Sequence, residues 1–435
     1  MAGTDKVFSI EGRGLKLDTA ADLEPHVAQL RAHDVEEVRL LGNTLGVEAC
    51  KLLGEILATK KNLKVCLYLP GYYDLADVCK VANLADIFTG RLLSEIPDAL
   101  SSLLTSILNL PHLHTINLND NAFGLNTQAP LVAFLASHVP LQHLHLNNNG
   151  LGPHAGILIA DALSELHASK EAARKEGKDV PDLKTIICGR NRLENGSMTA
   201  WAKTFSLHNK IEEVKMVQNG IRQEGISHLL SQGLNHASEL RILDLQDNTF
   251  TLMGAKALAK VTPTWTLLSE LGIGDSLLGA RGGVLLSEAL ALGKNDKLET
   301  LRLQYNDITA VGLRGFAAAA KDALPALKRI ELNGNKFSED DGSIRALQEL
   351  LEERKEALAN DDTDEADWGV DSLSDLESED SDEEEEDEED EEDIGPEEKA
   401  EKLVKEAEEA QAEPVVQVKD AEVEELAKKL AKTNV

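Results

Sequence analysis

The most constraining feature of this chain is a pattern that returns nine times. LHTINLNDNAFG (113–124), LQHLHLNNNGLG (141–152), LRILDLQDNTFT (240–251), LETLRLQYNDIT (298–309) and LKRIELNGNKFS (327–338) all read LxxLxLxxN followed by an apolar residue. VEEVRLLGNTLG (35–46), LKTIICGRNRLE (183–194), IEEVKMVQNGIR (211–222) and LSELGIGDSLLG (268–279) fit with substitutions, one of them Ser276 for Asn. Apolar residues at period two make a short strand with one face in a core. The Asn amide, with two donors and an acceptor, suits backbone groups left open where the chain turns off the strand. Between the strands, QAPLVAFLASH (128–138) and AGILIADALSELHAS (155–169) space apolar residues three and four apart, as a helix does.

One strand and one helix per unit is the leucine-rich repeat, an α/β solenoid in which a parallel sheet lines the concave side of a horseshoe. The ladder positions fall at Asn43, Asn121, Asn149, Asn191, Asn219, Asn248, Ser276, Asn306 and Asn335. After Asn121 they are separated by 28, 42, 28, 29, 28, 30 and 29 residues. The long interval carries SKEAARKEGKDVPD (169–182), read as a longer solvated helix and loop. VFSIEGRGLKL (7–17) supplies a capping strand, so about eleven units are expected over residues 1–350.

One unit is missing between Asn43 and Asn121. Deleting residues 65–80 gives LKVANLADI, with Ile87 in the ladder slot and the 28-residue period restored. The sixteen residues fall within the expected strand, bounded by Lys64-Val65 and Lys80-Val81. Two readings stay open: a retained or mispredicted intron, whose borders those dipeptides can encode, and a surface loop turning at Pro70-Gly71, which costs little entropy.

The net charge of −33 is concentrated. Residues 361–393 hold 22 Asp and Glu and no Lys or Arg, leaving −11 on the remainder. That argues against nucleic acid or an anionic membrane as partner. Residues 351–396 are expected to form a disordered acidic region, and 397–435 a charged, transiently helical tail. No apolar run is long enough to span a membrane and the N-terminus lacks a signal peptide, so a cytoplasmic address is expected. Cys50, Cys66, Cys79 and Cys188 show neither disulfide nor zinc spacing.

Catalytic signatures are lacking: GxxxxGK[ST], HExxH and GxSxG do not occur, and no nucleophile–base set supports an intrinsic hydrolase. His112, His114, His143 and His145 cluster, but are read as solvated repeat residues rather than metal ligands; neither metal nor cofactor is expected. The class is therefore an interaction protein. Just before each ladder position come Asp86, Asp120, Asn148, Arg190, Gln218, Asp247, Asp275 and Tyr305, expected on the rim where strands end. Arg39, Asn83, Asn117, His145, Lys215, Asp244, Arg302 and Glu331 are expected to face the concavity. Such a mixed, locally acidic surface suits a basic partner.

Several stretches go beyond repeat geometry. DIFTGR (86–91), EIPDAL (95–100), LNDNAFG (118–124), NNNGLGP (147–153), IICGRNRLENGSM (186–198), VKMVQNGIR (214–222), LDLQDNTF (243–250) and LRLQYNDI (301–308) together resemble the Ran GTPase-activating proteins in their fungal form. The resemblance covers about residues 5–350 and extends to an acidic segment after the repeats. It implies a partner, Ran-GTP, with a Ran-binding protein as an accessory candidate, and a monomeric activator that supports nucleocytoplasmic transport. The chain would not itself be an enzyme; it would steady the catalytic Gln of Ran rather than insert an arginine. Asn148 is implied beside that Gln, and Arg91 is implied to matter for activity or docking without touching phosphate. Asp86, Asp120, Arg190, Asp247 and Tyr305 are candidates for partner contacts by rim position. Nothing after the tail resembles the large C-terminal domain of the animal relatives, so pore anchoring by that route is not implied; a perinuclear address is the alternative to a general cytoplasmic one. A scaffold or inhibitor of another kind is the competing function, since the fold alone would serve it equally.

Overall fold

A computed structural model describes residues 6–62, 81–124, 127–358 and 365–377, and Lys405. In chain order the described strands are β1 Val7–Ser9, β2 Lys16–Leu17, β3 Glu37–Arg39, β4 Thr44–Leu45, β5 Val81–Asn83, β6 Thr115–Asn117 and β7 His143–His145. They continue with β8 Thr185–Ile187, β9 Glu213–Lys215, β10 Ile242–Asp244, β11 Glu270–Gly272, β12 Thr300–Arg302, β13 Arg329–Glu331 and β14 Gly369–Val370. Apart from β2 and β4, which pair with each other, they form one twelve-stranded sheet in sequence order, parallel throughout. Register follows the repeat: Ile116 pairs with Leu144, Leu144 with Ile186 and Ile186 with Val214, and all four side chains are buried.

The return path of most units is helical. The helices are α1 Ala20–Leu23, α2 Ala28–Ala32, α3 Val47–Leu57, α4 Ile96–Ile107, α5 Gln128–Ser137 and α6 Gly152–Lys175. After them come α7 Met198–Leu207, α8 Gln223–His228, α9 Thr251–Val261, α10 Gly279–Ala291, α11 Ala310–Asp322 and α12 Gly342–Leu358. Leu and Ile at the expected spacing, such as Leu100, Leu103, Leu104 and Ile107 on α4, bury against the back of the sheet and the neighbouring helix.

The ladder residues hold the turns together. Asn149 donates its Nδ2 to the carbonyls of Leu118 and Leu146, both at 3.0 Å, while its Oδ1 accepts from Asn121 N at 3.0 Å. Asn191 repeats this on Leu146 O at 2.8 Å and Asn149 N at 2.9 Å, and Asn335 on Leu303 O at 3.0 Å and Asn306 N at 3.1 Å. Each amide thus satisfies buried backbone in two units, groups that would cost about 1–3 kcal/mol apiece if left bare. Ser276 is also buried, and its hydroxyl donates to Gly274 O at 3.0 Å.

A second seam runs along the helix layer, and the repeat pattern gives no hint of it. The last carbonyls of a helix lack intrahelical partners, and in several units carbonyls at or just after the helix end accept from a side chain of the following unit. Lys60 Nζ donates to His33 O at 2.7 Å, and Asn295 Nδ2 to Thr262 O and Trp265 O at 2.9 Å. Arg354 Nη1 and Nη2 reach Leu327 O at 2.9 Å and Ala320 O at 2.8 Å. Lys170, 1% exposed, donates to Val139 O and Leu141 O at 2.7 Å and to Pro181 O at 2.8 Å. The extension at 169–182 is therefore not simply solvated: α6 runs through it to Lys175, and Lys170 and Ala173 are buried there.

Two further expectations change. The repeat domain does not stop at 350, because α12 continues to Leu358 and β14 extends the sheet beside β13. The C-terminal cap is therefore drawn from residues expected to be disordered: Trp368 is buried, Leu373 and Leu376 pack on the core, and Asp371 accepts from Leu332 N at 2.7 Å. The eleven strands that precede β14 in the sheet match the count of about eleven units, with β14 added as a cap. Finally, β5 is formed entirely from residues after position 80 and pairs with β3 and β6, so the extra residues precede the strand instead of splitting it. Residues 65–80 and, apart from Lys405, the tail at 397–435 lie outside the described residues.

Candidate functional site

The rim row is a single conformational line. Asp86, Asp120, Asn148, Arg190, Gln218, Asp247, Asp275 and Tyr305 all have left-handed backbone, with φ between 47° and 60°. Each N–H continues the sheet bonding one step beyond the strands: Asp120 N donates to Asn147 O, Asn148 N to Gly189 O and Arg190 N to Val217 O, at 2.9, 2.9 and 2.8 Å. Asp and Asn adopt this conformation readily, whereas Arg190, Gln218 and Tyr305 hold it at a cost of about 1 kcal/mol or more. The same slot is glycine at 334, where φ is +68° and a Cβ would come within 2.0 Å of the Tyr305 ring.

Side chains along this row are paired unevenly. Asn148 Nδ2 donates to Asp120 Oδ1 at 2.9 Å, and both residues are exposed. Two units further on, Gln218 hydrogen-bonds Asp247, whose carboxyl is nonetheless pushed above the usual range by partial burial and the neighbouring Asp275 carboxylate. Arg190 stands exposed between these two acid–amide pairs and makes no side-chain hydrogen bond or ion pair among the described residues. Asp86 accepts from Thr89 Oγ1. Tyr305 is half exposed and donates its hydroxyl to Asp375 Oδ2 at 2.8 Å, so this rim residue is engaged by the chain's own cap.

Arg91 is not brought to this row. Its side chain is 8% exposed, pairs with Asp18, and donates from Nη2 to Thr44 O at 3.1 Å. Thr44 in turn donates to Thr89 O at 3.2 Å, and Leu45 N to Ile87 O at 2.9 Å. The guanidinium thus fastens the DIFTGR loop to the preceding units. Asp18, Thr44 and Asp375 were not identified from the sequence, because their partners lie 73, 47 and 70 residues away.

The sheet face itself is largely occupied with its own charges. Arg302 pairs with Glu270 at 3.2 Å, Arg329 with Glu331 at 3.2 Å and Lys215 with Glu213 at 3.0 Å. His145, expected as a solvated residue, is 2% exposed, and burial pulls its imidazole down to about 3. Nearby, His143 Nδ1 lies 2.9 Å from Thr185 Oγ1. Among the described residues no group of three His, Cys, Asp or Glu is arranged to hold a metal ion. The rim, with four carboxylates and one unpaired guanidinium, is the more available surface.

The Leucine Rich repeat family model matches residues 236–259 and 294–317. Ran GTPase-activating protein 1 of Saccharomyces cerevisiae is 38% identical over 80% of this chain and 83% of its own length. The chain belongs to the Ran GTPase-activating protein family. The family member of Drosophila melanogaster is 34% identical over 80% of the chain and 55% of its own length. That of Xenopus laevis is 40% identical over 50% of the chain, which spans 35% of it. Relative to these two animal members of the Ran GTPase-activating protein family, the chain corresponds to about half and about a third of their length.

Proposed function

We propose that this protein activates the GTPase Ran: it binds Ran-GTP and accelerates a hydrolysis that Ran itself carries out. The observation carrying the reading is the 38% identity over 83% of the yeast Ran GTPase-activating protein 1. The rim supports a way of doing it. Asn148 presents an exposed amide of fixed backbone, suited to steadying a glutamine that orients the attacking water. Asp86, Asp247 and Arg190 offer charge that steers a partner onto the same edge. Arg91, turned inward, serves the rim by holding its loop, which agrees with an activator that supplies no arginine to the phosphate.

On this reading the chain acts as a monomer, accommodates a Ran-binding protein beside Ran, and works in the cytoplasm, where Ran-GTP leaving the nucleus is converted to Ran-GDP. Single-turnover phosphate release from Ran-GTP tests it. Adding the protein should raise the rate by orders of magnitude, while GTP mixed with the protein alone should yield no phosphate. An unchanged Ran rate would favour a scaffold or inhibitor instead.

A further inference from the structure

We propose that Asp120 is a positioning residue that sets which edge of the Asn148 amide faces the GTPase. This rests on the reading of Asn148 above and assigns Asp120 a role other than direct partner contact. The two residues occupy the same slot in adjacent units, 28 positions apart, and Asn148 Nδ2 donates to Asp120 Oδ1 at 2.9 Å. A carboxylate only accepts hydrogen bonds, whereas an amide presents donors on one edge and an acceptor on the other. Of the two amide flips, one places N–H against the carboxylate; the other sets oxygen against oxygen. Asp120 therefore selects the flip that leaves Asn148 Oδ1 turned away from it.

The backbone adds to this selection. Both residues lie in the left-handed region, with φ of 60° and 54°, and both N–H groups are tied at 2.9 Å to the next unit, so the directions of their side chains are set before any partner arrives. An oriented carbonyl oxygen can accept from the NH2 of a glutamine side chain, while the remaining Nδ2 hydrogen can donate to that glutamine's oxygen. A freely flipping amide would offer this arrangement only part of the time. The Gln218–Asp247 pair beyond Arg190 shows the same acid-to-amide pairing in another unit.

The test is Asp120→Asn, which keeps size but offers Asn148 either a donor or an acceptor, so neither flip is selected. With Ran-GTP in single turnover, the maximal stimulated rate should fall to about half, since two flips without selection populate the productive one about half of the time, while the half-saturating concentration and thermal unfolding should be unchanged. On an Asn148→Ala background the substitution should have no further effect. An unchanged maximal rate would overturn the proposal. So would a raised half-saturating concentration at full maximal rate, which would mark Asp120 as a partner contact, or the same loss on the Asn148→Ala background. If Asn148→Ala alone retained full stimulation, the reading of Asn148 would fall together with the inference; if only Asp120→Asn were silent, the inference alone would fall.

Discussion

Arg91 illustrates how a side chain can matter to a surface without lying on it. Its guanidinium joins Asp18 and the Thr44 carbonyl, and its removal leaves that carbonyl without its charged donor. Arg91→Ala should therefore lower unfolding free energy by about 2–3 kcal/mol, measured by denaturant titration, with activity loss that follows loosening of residues 86–91. Unchanged stability would contradict the fastening role. Histidines give a second prediction at this scale. Burial pulls His208 down to about 4 from an ordinary value of 6.5, so the unfolded chain takes up its proton first as pH falls. Stability should decline between pH 6.5 and about 4, with His208 contributing roughly 3 kcal/mol at 1.36 kcal/mol per pH unit. His208→Gln, which keeps a donor for the Leu163 carbonyl 2.8 Å away, should flatten that decline in unfolding curves taken at pH 7 and pH 5. An equal decline in both proteins would contradict it. The ladder and rim positions at this scale were legible because a 28-residue period fixes them; the inward turn of Arg91 was not, since it depends on Asp18, 73 residues earlier.

Among the elements, the C-terminal cap departs furthest from the sequence reading. Averaged over 33 residues the acidic run masks WGVDSLSDL, yet Trp368, Leu373 and Leu376 are spaced to cover the open end of the last unit. Around them Arg329 donates to Trp368 O at 3.1 Å, and Asp375 N to Asn333 Oδ1 at 2.9 Å. A chain ending at Glu377 should unfold with the same free energy as the full chain. One ending at Leu358 should lose about 3 kcal/mol, the scale expected for uncovering one large and two medium apolar side chains. Equal stability of the two truncations would show that the cap contributes nothing. The strand–helix alternation itself was plain from the sequence, and so was the resumption of the period at Ile87, now buried in the ladder slot. The helix-layer seam was not, because Lys60, Lys170, Asn295 and Arg354 bring three residue types to one job and leave no repeated letter in the sequence.

At the scale of the whole molecule, a sheet in sequence order turns equivalent residues into neighbours. That is why Asp120 and Asn148 meet, and why Arg190 lies between two acid–amide pairs that are distant in the chain. The sequence indicated the row; it did not indicate that the sheet face pairs its own charges, or that Tyr305 is engaged by the cap, since both depend on side-chain orientation. The central claim is that the rim acts through the Asn148 amide. Its most direct test is single-turnover GTP hydrolysis on Ran at saturating Asn148→Ala protein. The maximal stimulated rate should drop on the order of 10²-fold while Ran-GTP binding stays within about threefold, as expected for removing an interaction that acts mainly in the transition state. Full stimulation by Asn148→Ala would contradict the account.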